Sequence, residues 1–126
     1  MSQITKIVGR EIIDSRGEPT IEVDVYTSDG SLGRAAAPSG SSTGSKEAKE
    51  KRDRDGRFYG KGVLKAVKTV ADEIEPAIVD KSVFDQVYLD EILISIDGTH
   101  DKSRLGGNTL VAISLAIAKA GAASKS

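Results

Sequence analysis

Ile21-Glu22-Val23-Asp24-Val25-Tyr26 sets branched aliphatic residues against Glu22, Asp24 and Tyr26 at a period of two. Successive side chains of an extended chain point to opposite faces, so the run reads as a half-buried strand with Ile21, Val23 and Val25 turned toward a core. Upstream, Ile4, Lys6 and Val8 alternate with Thr5, Ile7 and Gly9 before the pair Ile12-Ile13, which gives a second strand. Ser15-Arg16-Gly17-Glu18-Pro19 supplies turn chemistry between the two, and Asp29-Gly30 makes a tight turn into a third strand over Leu32 to Ala37. Strands joined by such short connections form an antiparallel meander.

From Gly62 onward the period becomes helical. Val63, Val67, Val70 and Ile74 share one stripe, with Lys65, Lys68 and Glu73 facing water, and the stripe should cover one face of the sheet. Pro76 ends or restarts this helix because it lacks an amide hydrogen. Ser82 is read as the cap of a helix running through Phe84, Tyr88, Ile92 and Ile96 and closed by Ile96-Asp97-Gly98-Thr99. Asn108 is read as the cap of a last helix through Leu110, Ile113, Ile117 and Ala120. The fold class is therefore α+β, a three-stranded antiparallel β-meander followed by a layer of α-helices, with no internal repeat.

Val111, Leu115 and Ala118 widen the apolar surface of the last helix beyond one stripe. Two readings stand: a central helix wrapped by its own chain, or a docking and self-association surface. Residues 46 to 57 are crowded with Lys, Arg, Asp and Glu, and the expectation there is an exposed, partly ordered segment.

At 126 residues the chain suits one domain over 1–126, able to bury a core without disulfides. No cysteine is present, which excludes thiolate metal sites and cysteine nucleophiles, and the single His100 cannot form a histidine cluster. Eighteen basic and nineteen acidic residues leave a net charge of -1, so neither nucleic acid nor an anionic membrane is an expected partner. Met1 to Lys6 lacks the apolar run of a signal peptide and no stretch is apolar enough to span a bilayer, so a soluble, cytoplasmic protein is expected.

Behind the third strand lies Pro38-Ser39-Gly40-Ser41-Ser42-Thr43-Gly44-Ser45. Proline fixes the backbone where the chain leaves the strand, while Gly40 and Gly44 allow dihedrals that other residues resist, so a mobile polar loop is expected. It reads either as a loop whose hydroxyls close over an anion or metal, or as a solvated connection of linker residues. A nucleotide P-loop does not fit, because Gly40 to Lys46 runs G-x-x-x-G-S-K and is short by one residue.

Gly9-Arg10-Glu11-Ile12-Ile13-Asp14-Ser15-Arg16-Gly17, Pro19-Thr20-Ile21-Glu22-Val23, and Ala35-Ala36-Ala37-Pro38-Ser39-Gly40 with Ser42-Thr43-Gly44 resemble the amino-terminal domain of enolase, phosphopyruvate hydratase. Gly60-Lys61-Gly62-Val63, Leu93 to Thr99, and Asn108 with Ala112, Ser114, Leu115 and Ala116 extend the resemblance over essentially the whole chain. It implies a small domain that caps a larger barrel, in an enzyme that reversibly dehydrates 2-phosphoglycerate to phosphoenolpyruvate with two magnesium ions in glycolysis. The family's catalytic lysine, glutamate and metal carboxylates belong to the barrel, so no catalytic residue is assigned here and this chain alone is expected to be inactive. The family's mobile loop corresponds to Pro38, Ser39, Gly40, Ser41, Ser42, Thr43 and Gly44, with Ser42 implied as a ligand of the second Mg2+ once substrate is bound. Hard oxygen donors suit magnesium, but one or two cannot hold it alone, so binding by this chain alone should be weak or absent. Implied partners are the barrel domain and, in the complete enzyme, 2-phosphoglycerate and phosphoenolpyruvate. A stand-alone self-association domain and a small anion-binding module are the alternatives.

Several positions depart from the family pattern. Glu18 stands where asparagine is usual, Ser41 where alanine is usual, and Glu50 to Arg57 replaces a Glu-Leu-Arg-Asp-Gly-Asp segment with altered spacing. Gly107 and Thr109 occupy alanine positions, which lowers helix propensity at the start of the last helix.

Overall fold

The computed structural model describes residues 2–38 and 48–125. Strands β1 (Ile4–Ile13), β2 (Pro19–Thr27) and β3 (Leu32–Ala36) form one antiparallel sheet in the order β1-β2-β3, the expected meander. Arg10 stands opposite Glu22, and Asp24 opposite Arg34. The regular alternation read for β1 fails at one place. A register shift between Ile4 and Lys6 inserts an extra residue and resets the parity, so Ile4 and Ile7 are both buried while Lys6 is exposed.

Ile7, Ile21, Val23, Val25 and Ala35 make the inner face of the sheet, buried against the helices. Helix α1 (Leu64–Thr69) runs without a break through a wide π turn (Val70–Ile74) into α2 (Glu75–Ile78). Proline has no amide hydrogen, and here the turn ahead of Pro76 widens while the helix carries on for a few residues beyond it. The expected stripe holds, with Val63, Val70 and Ile74 buried and Val67 partly so.

Helix α3 (Gln86–Asp97) starts later than expected and turns a different face inward. Asp85 occupies the cap position, whereas Ser82 Oγ accepts a bond from Phe84 N at 3.2 Å in the turn before the helix. Leu89 and Leu93 are the buried anchors, with Ile92 and Ile96 packed at the edge, and Tyr88 is 51% exposed. Lysines stack on the two outward aromatics: Lys125 lies 5.0 Å from the Phe84 ring centre and Lys81 6.0 Å from that of Tyr88. Gly98 takes the left-handed conformation (φ 67°) and closes α3 by donating its N–H to Ile94 O, as the Asp97-Gly98 pair predicts.

Helix α4 (Gly107–Ser124) crosses the inner face of the sheet, burying Ala112, Ile113, Ala116, Ile117 and Ala120. Its close approach depends on Gly33, where an added Cβ would lie 2.1 Å from Ala116 O and 2.3 Å from Ala120 N. Gly106 (φ 97°), not Asn108, is the cap residue, and Asn108 lies inside the first turn. On the outward side Val111 and Leu115 are each 45% exposed, so the described residues do not wrap this helix completely. Among the described residues no helix is long and apolar enough to cross a membrane.

Candidate functional site

Hydrogen bonds hold the described chain on either side of the loop that the sequence singles out. At its start, the chain leaving β3 is pinned to β2: Thr20 Oγ1 donates to Ala37 O at 2.6 Å and Ala37 N donates to Ile21 O at 3.0 Å. Pro38 follows, exposed at the edge of the sheet. Ser39, Gly40, Ser41, Ser42, Thr43 and Gly44, including the implied metal ligand, lie outside the described residues.

Where the chain becomes described again, at Ala48, it runs across the N-terminal end of α4. Lys49 N donates to Asp101 O at 2.8 Å, and Gly107 N donates to Lys49 O at 2.7 Å. Asn108 clasps Lys51, two residues on, its Oδ1 accepting from Lys51 N at 2.8 Å and its Nδ2 donating to Lys51 O at 3.2 Å. Arg52 Nη1 then donates to Pro19 O at 2.5 Å and Lys61 O at 2.8 Å, joining this segment to the start of β2.

Asp53 completes the anchorage and is almost fully buried. Its carboxylate accepts from Leu64 N at 2.9 Å and Lys65 N at 2.8 Å, satisfying two amides that a helix start leaves without partners. Glu11 does the same from β1, taking Val63 N at 2.9 Å and the Arg57 guanidinium at 2.7 Å. The bond from Arg57 is the main cause that holds the Glu11 carboxyl below its ordinary range, helped by the Val63 amide against the cost of desolvation. The expectation of an exposed charged run holds at 48–50 and 54–57, whereas Lys51 and Arg52 are half-buried and Asp53 is buried, because these three find amide and carbonyl partners on neighbouring elements.

Two other carboxylates are built into the frame. Asp97 is buried at the end of α3 and accepts from Leu105 N at 2.8 Å, Thr99 N at 2.9 Å and the Thr99 hydroxyl. Burial pushes its pKa up, but the Thr99 and Leu105 donors outweigh that and the net shift is downward. On the outer face of the sheet Asp24 is fully buried beneath two guanidiniums, with Arg34 Nε at 2.7 Å and Arg10 Nη2 at 2.5 Å. Arg34 first and Arg10 second hold this carboxyl far below its usual range, and Asp24 in turn raises Arg10.

Beneath the loop's point of departure is a concavity of about 570 Å³ bordered by Asp14, Arg16, Thr20 and Pro38. Asp14 Oδ1 shapes its rim by accepting from Arg16 N at 2.9 Å and Glu18 N at 3.0 Å. Glu18, in the same turn, binds Lys61 Nζ at 2.9 Å. Among the described residues no group of three or more His, Asp or Glu side chains is placed to hold a metal ion. Of the sequence-predicted site residues, then, the structure places Pro38 alone, with the flanking chain up to Ala37 and from Ala48 onward. Sequence reasoning missed Glu11, Asp53 and Asn108, and the signal for Asp53 was hidden in a run where every neighbour is also polar.

The model of the family described as enolase, N-terminal domain, matches residues 4–126. The chain belongs to this family.

Proposed function

We propose that this domain serves as the cap of a catalytic barrel in an enolase, in the cytoplasmic, glycolytic interconversion of 2-phosphoglycerate and phosphoenolpyruvate. The observation that supports this reading best is the pair of rigid posts on either side of the loop, at Ala37 and at Lys49 to Asp53. A loop that must carry a hydroxyl to a reacting centre needs ends that do not move with it.

Ser42 is the residue assigned to magnesium, and its hydroxyl and carbonyl oxygens are hard donors of the type this ion takes. A single serine leaves most of an octahedral shell to ligands from the barrel and the substrate. Magnesium bound there would supply charge stabilisation for the dehydration. The chain's own part is to position Ser42 and to exclude water when the loop closes. By itself the domain binds magnesium weakly or not at all and turns over no substrate.

Complementation tests this. Mixing the purified chain with a separately produced enolase barrel should restore magnesium-dependent formation of phosphoenolpyruvate, followed by its ultraviolet absorbance, and Ser42→Ala should reduce the restored rate by about a hundredfold. No restoration with a barrel that is shown to be folded, or full restoration with Ser42→Ala, defeats the assignment.

A further inference from the structure

The chain over 48–51 lies across the start of α4 like a strap, and each of the two pieces supplies what the other lacks. Glycines allow the contact: an added Cβ at Gly106 would lie 2.5 Å from Lys51 Cβ, and one at Gly107 2.8 Å from Ala48 Cβ. No side chain caps α4 at Gly106, and the first amide of the helix, Gly107 N, is met by Lys49 O at 2.7 Å instead. The strap in turn takes its acceptors from this corner, with Lys49 N on Asp101 O, Lys51 N on Asn108 Oδ1 and Lys51 Nζ on Arg104 O. Gly107, Asn108 and Thr109 in succession are weak helix formers. Thr109 adds a second weakness, because its hydroxyl is buried without a partner and would be satisfied by water once the turn unwinds. Beyond Leu110 the helix is secured by packing, with Ala112, Ile113, Ala116, Ile117 and Ala120 all buried.

We propose that residues 48–51 and the first turn of α4, Gly107 to Leu110, open and close as one unit while the sheet and the rest of α4 stay folded. When the strap leaves, Gly107 N loses its acceptor and Asn108 its clasp, so three weak helix formers are left without their ties. When the turn unwinds, Lys51 loses the Asn108 side chain in the same step. The Thr109 hydroxyl is the spring of the device, because it favours the open form in which it is hydrated. Arg52, bonded to Pro19 O and Lys61 O, is where the moving strap meets the fixed frame. This corner thereby takes two shapes without disturbing the core, in the manner of a unit that opens below the threshold of global unfolding. The device concerns the described chain and does not depend on the capping role.

Native-state hydrogen exchange of the whole chain at rising denaturant, read by NMR, is the test. The amides of Lys49, Lys51 and Gly107 should exchange at least about tenfold faster than those of Ala116 and Ala120, and share one denaturant slope smaller than that of global unfolding. Ile117→Val, which weakens the packed part of the same helix, should speed Ala116 and Ala120 by about fivefold and leave the three strap amides unchanged. Thr109→Ala should slow all three by about threefold, since the hydroxyl is hydrated only in the open form. Exchange of Lys49, Lys51 and Gly107 at the global rate alone overturns the proposal. Three unrelated rates without a denaturant slope also overturn it, because they mean separate fraying. Strap amides that ignore Thr109→Ala do the same, because the strap then lifts from a turn that stays wound.

Discussion

Where β3 meets α4, the backbone of the helix comes so near Gly33 that no side chain fits between them. At the far end of the same helix, the segment over 48–57 offers one alanine and otherwise charged residues and glycine, and it is held by hydrogen bonds from Asn108, Arg52 and Asp53. The first region is ordered by shape and the second by satisfying polar groups that burial would otherwise leave alone. The difference matters for mutation: the first tolerates no added volume, whereas the second tolerates no lost acceptor.

Gly33→Ala is the most direct way to break the first region. Its Cβ would meet backbone atoms that cannot rotate away, so a loss of about 3 kcal/mol is expected by denaturant unfolding. Asp53→Ala attacks the second, uncapping two amides of α1, and should cost about 2 kcal/mol in the same measurement. If Asp53→Ala proves silent, the charged segment is not held as described.

Acid sharpens the contrast because only the polar ties titrate. Glu11, Asp24 and Asp97 all have folded-state pKa values below their ordinary ones, so their stabilisation is complete above the unfolded values near pH 4 and is lost as pH falls through the lower folded values. Unfolding midpoints measured downward from about pH 5 should therefore decline. Glu11→Gln, which keeps the shape but removes the titrating group, should reduce that slope.

The two departures at the start of α4 give the smallest and most discriminating test. Alanine at either position would raise helix propensity, yet the structure predicts opposite signs for Gly107→Ala and Thr109→Ala. A Cβ on Gly107 would lie 2.8 Å from the Ala48 Cβ, so Gly107→Ala should destabilise by about 1 kcal/mol. Thr109 is fully buried and its hydroxyl has no partner, so Thr109→Ala should stabilise by roughly 0.5 to 1 kcal/mol. Equal effects in the two variants would mean that helix propensity, not local packing, governs this turn.

Periodicity made much of the fold legible. Ile21, Val23 and Val25 announced the inner face of β2, and Val63, Val70 and Ile74 the buried stripe of the first helical stretch. The same rule half misled at α3: of the expected stripe Phe84, Tyr88, Ile92 and Ile96, the last two pack against the core but Phe84 and Tyr88 face outward, and Leu89 and Leu93, about one residue's rotation away, are the buried anchors. Asn108 was misread for a related reason: an asparagine at a helix start suits a cap, and only the arrival of Lys51 turns its amide into a clasp. Of the candidate site, Pro38 alone is placed by the structure, while Ser42 rests on the family's motif.

The sequence by itself determined the meander, the helical layer and the family, because period and motif are properties of neighbours along the chain. Tertiary structure alone decided the bulge in β1, the inward face of α3, the burial of Asp24 under two arginines and of Asp53 under α1. Those depend on groups far apart in sequence coming within hydrogen-bond or van der Waals distance, and a carboxylate surrounded by charged neighbours looks the same on paper whether water or a helix amide finally meets it.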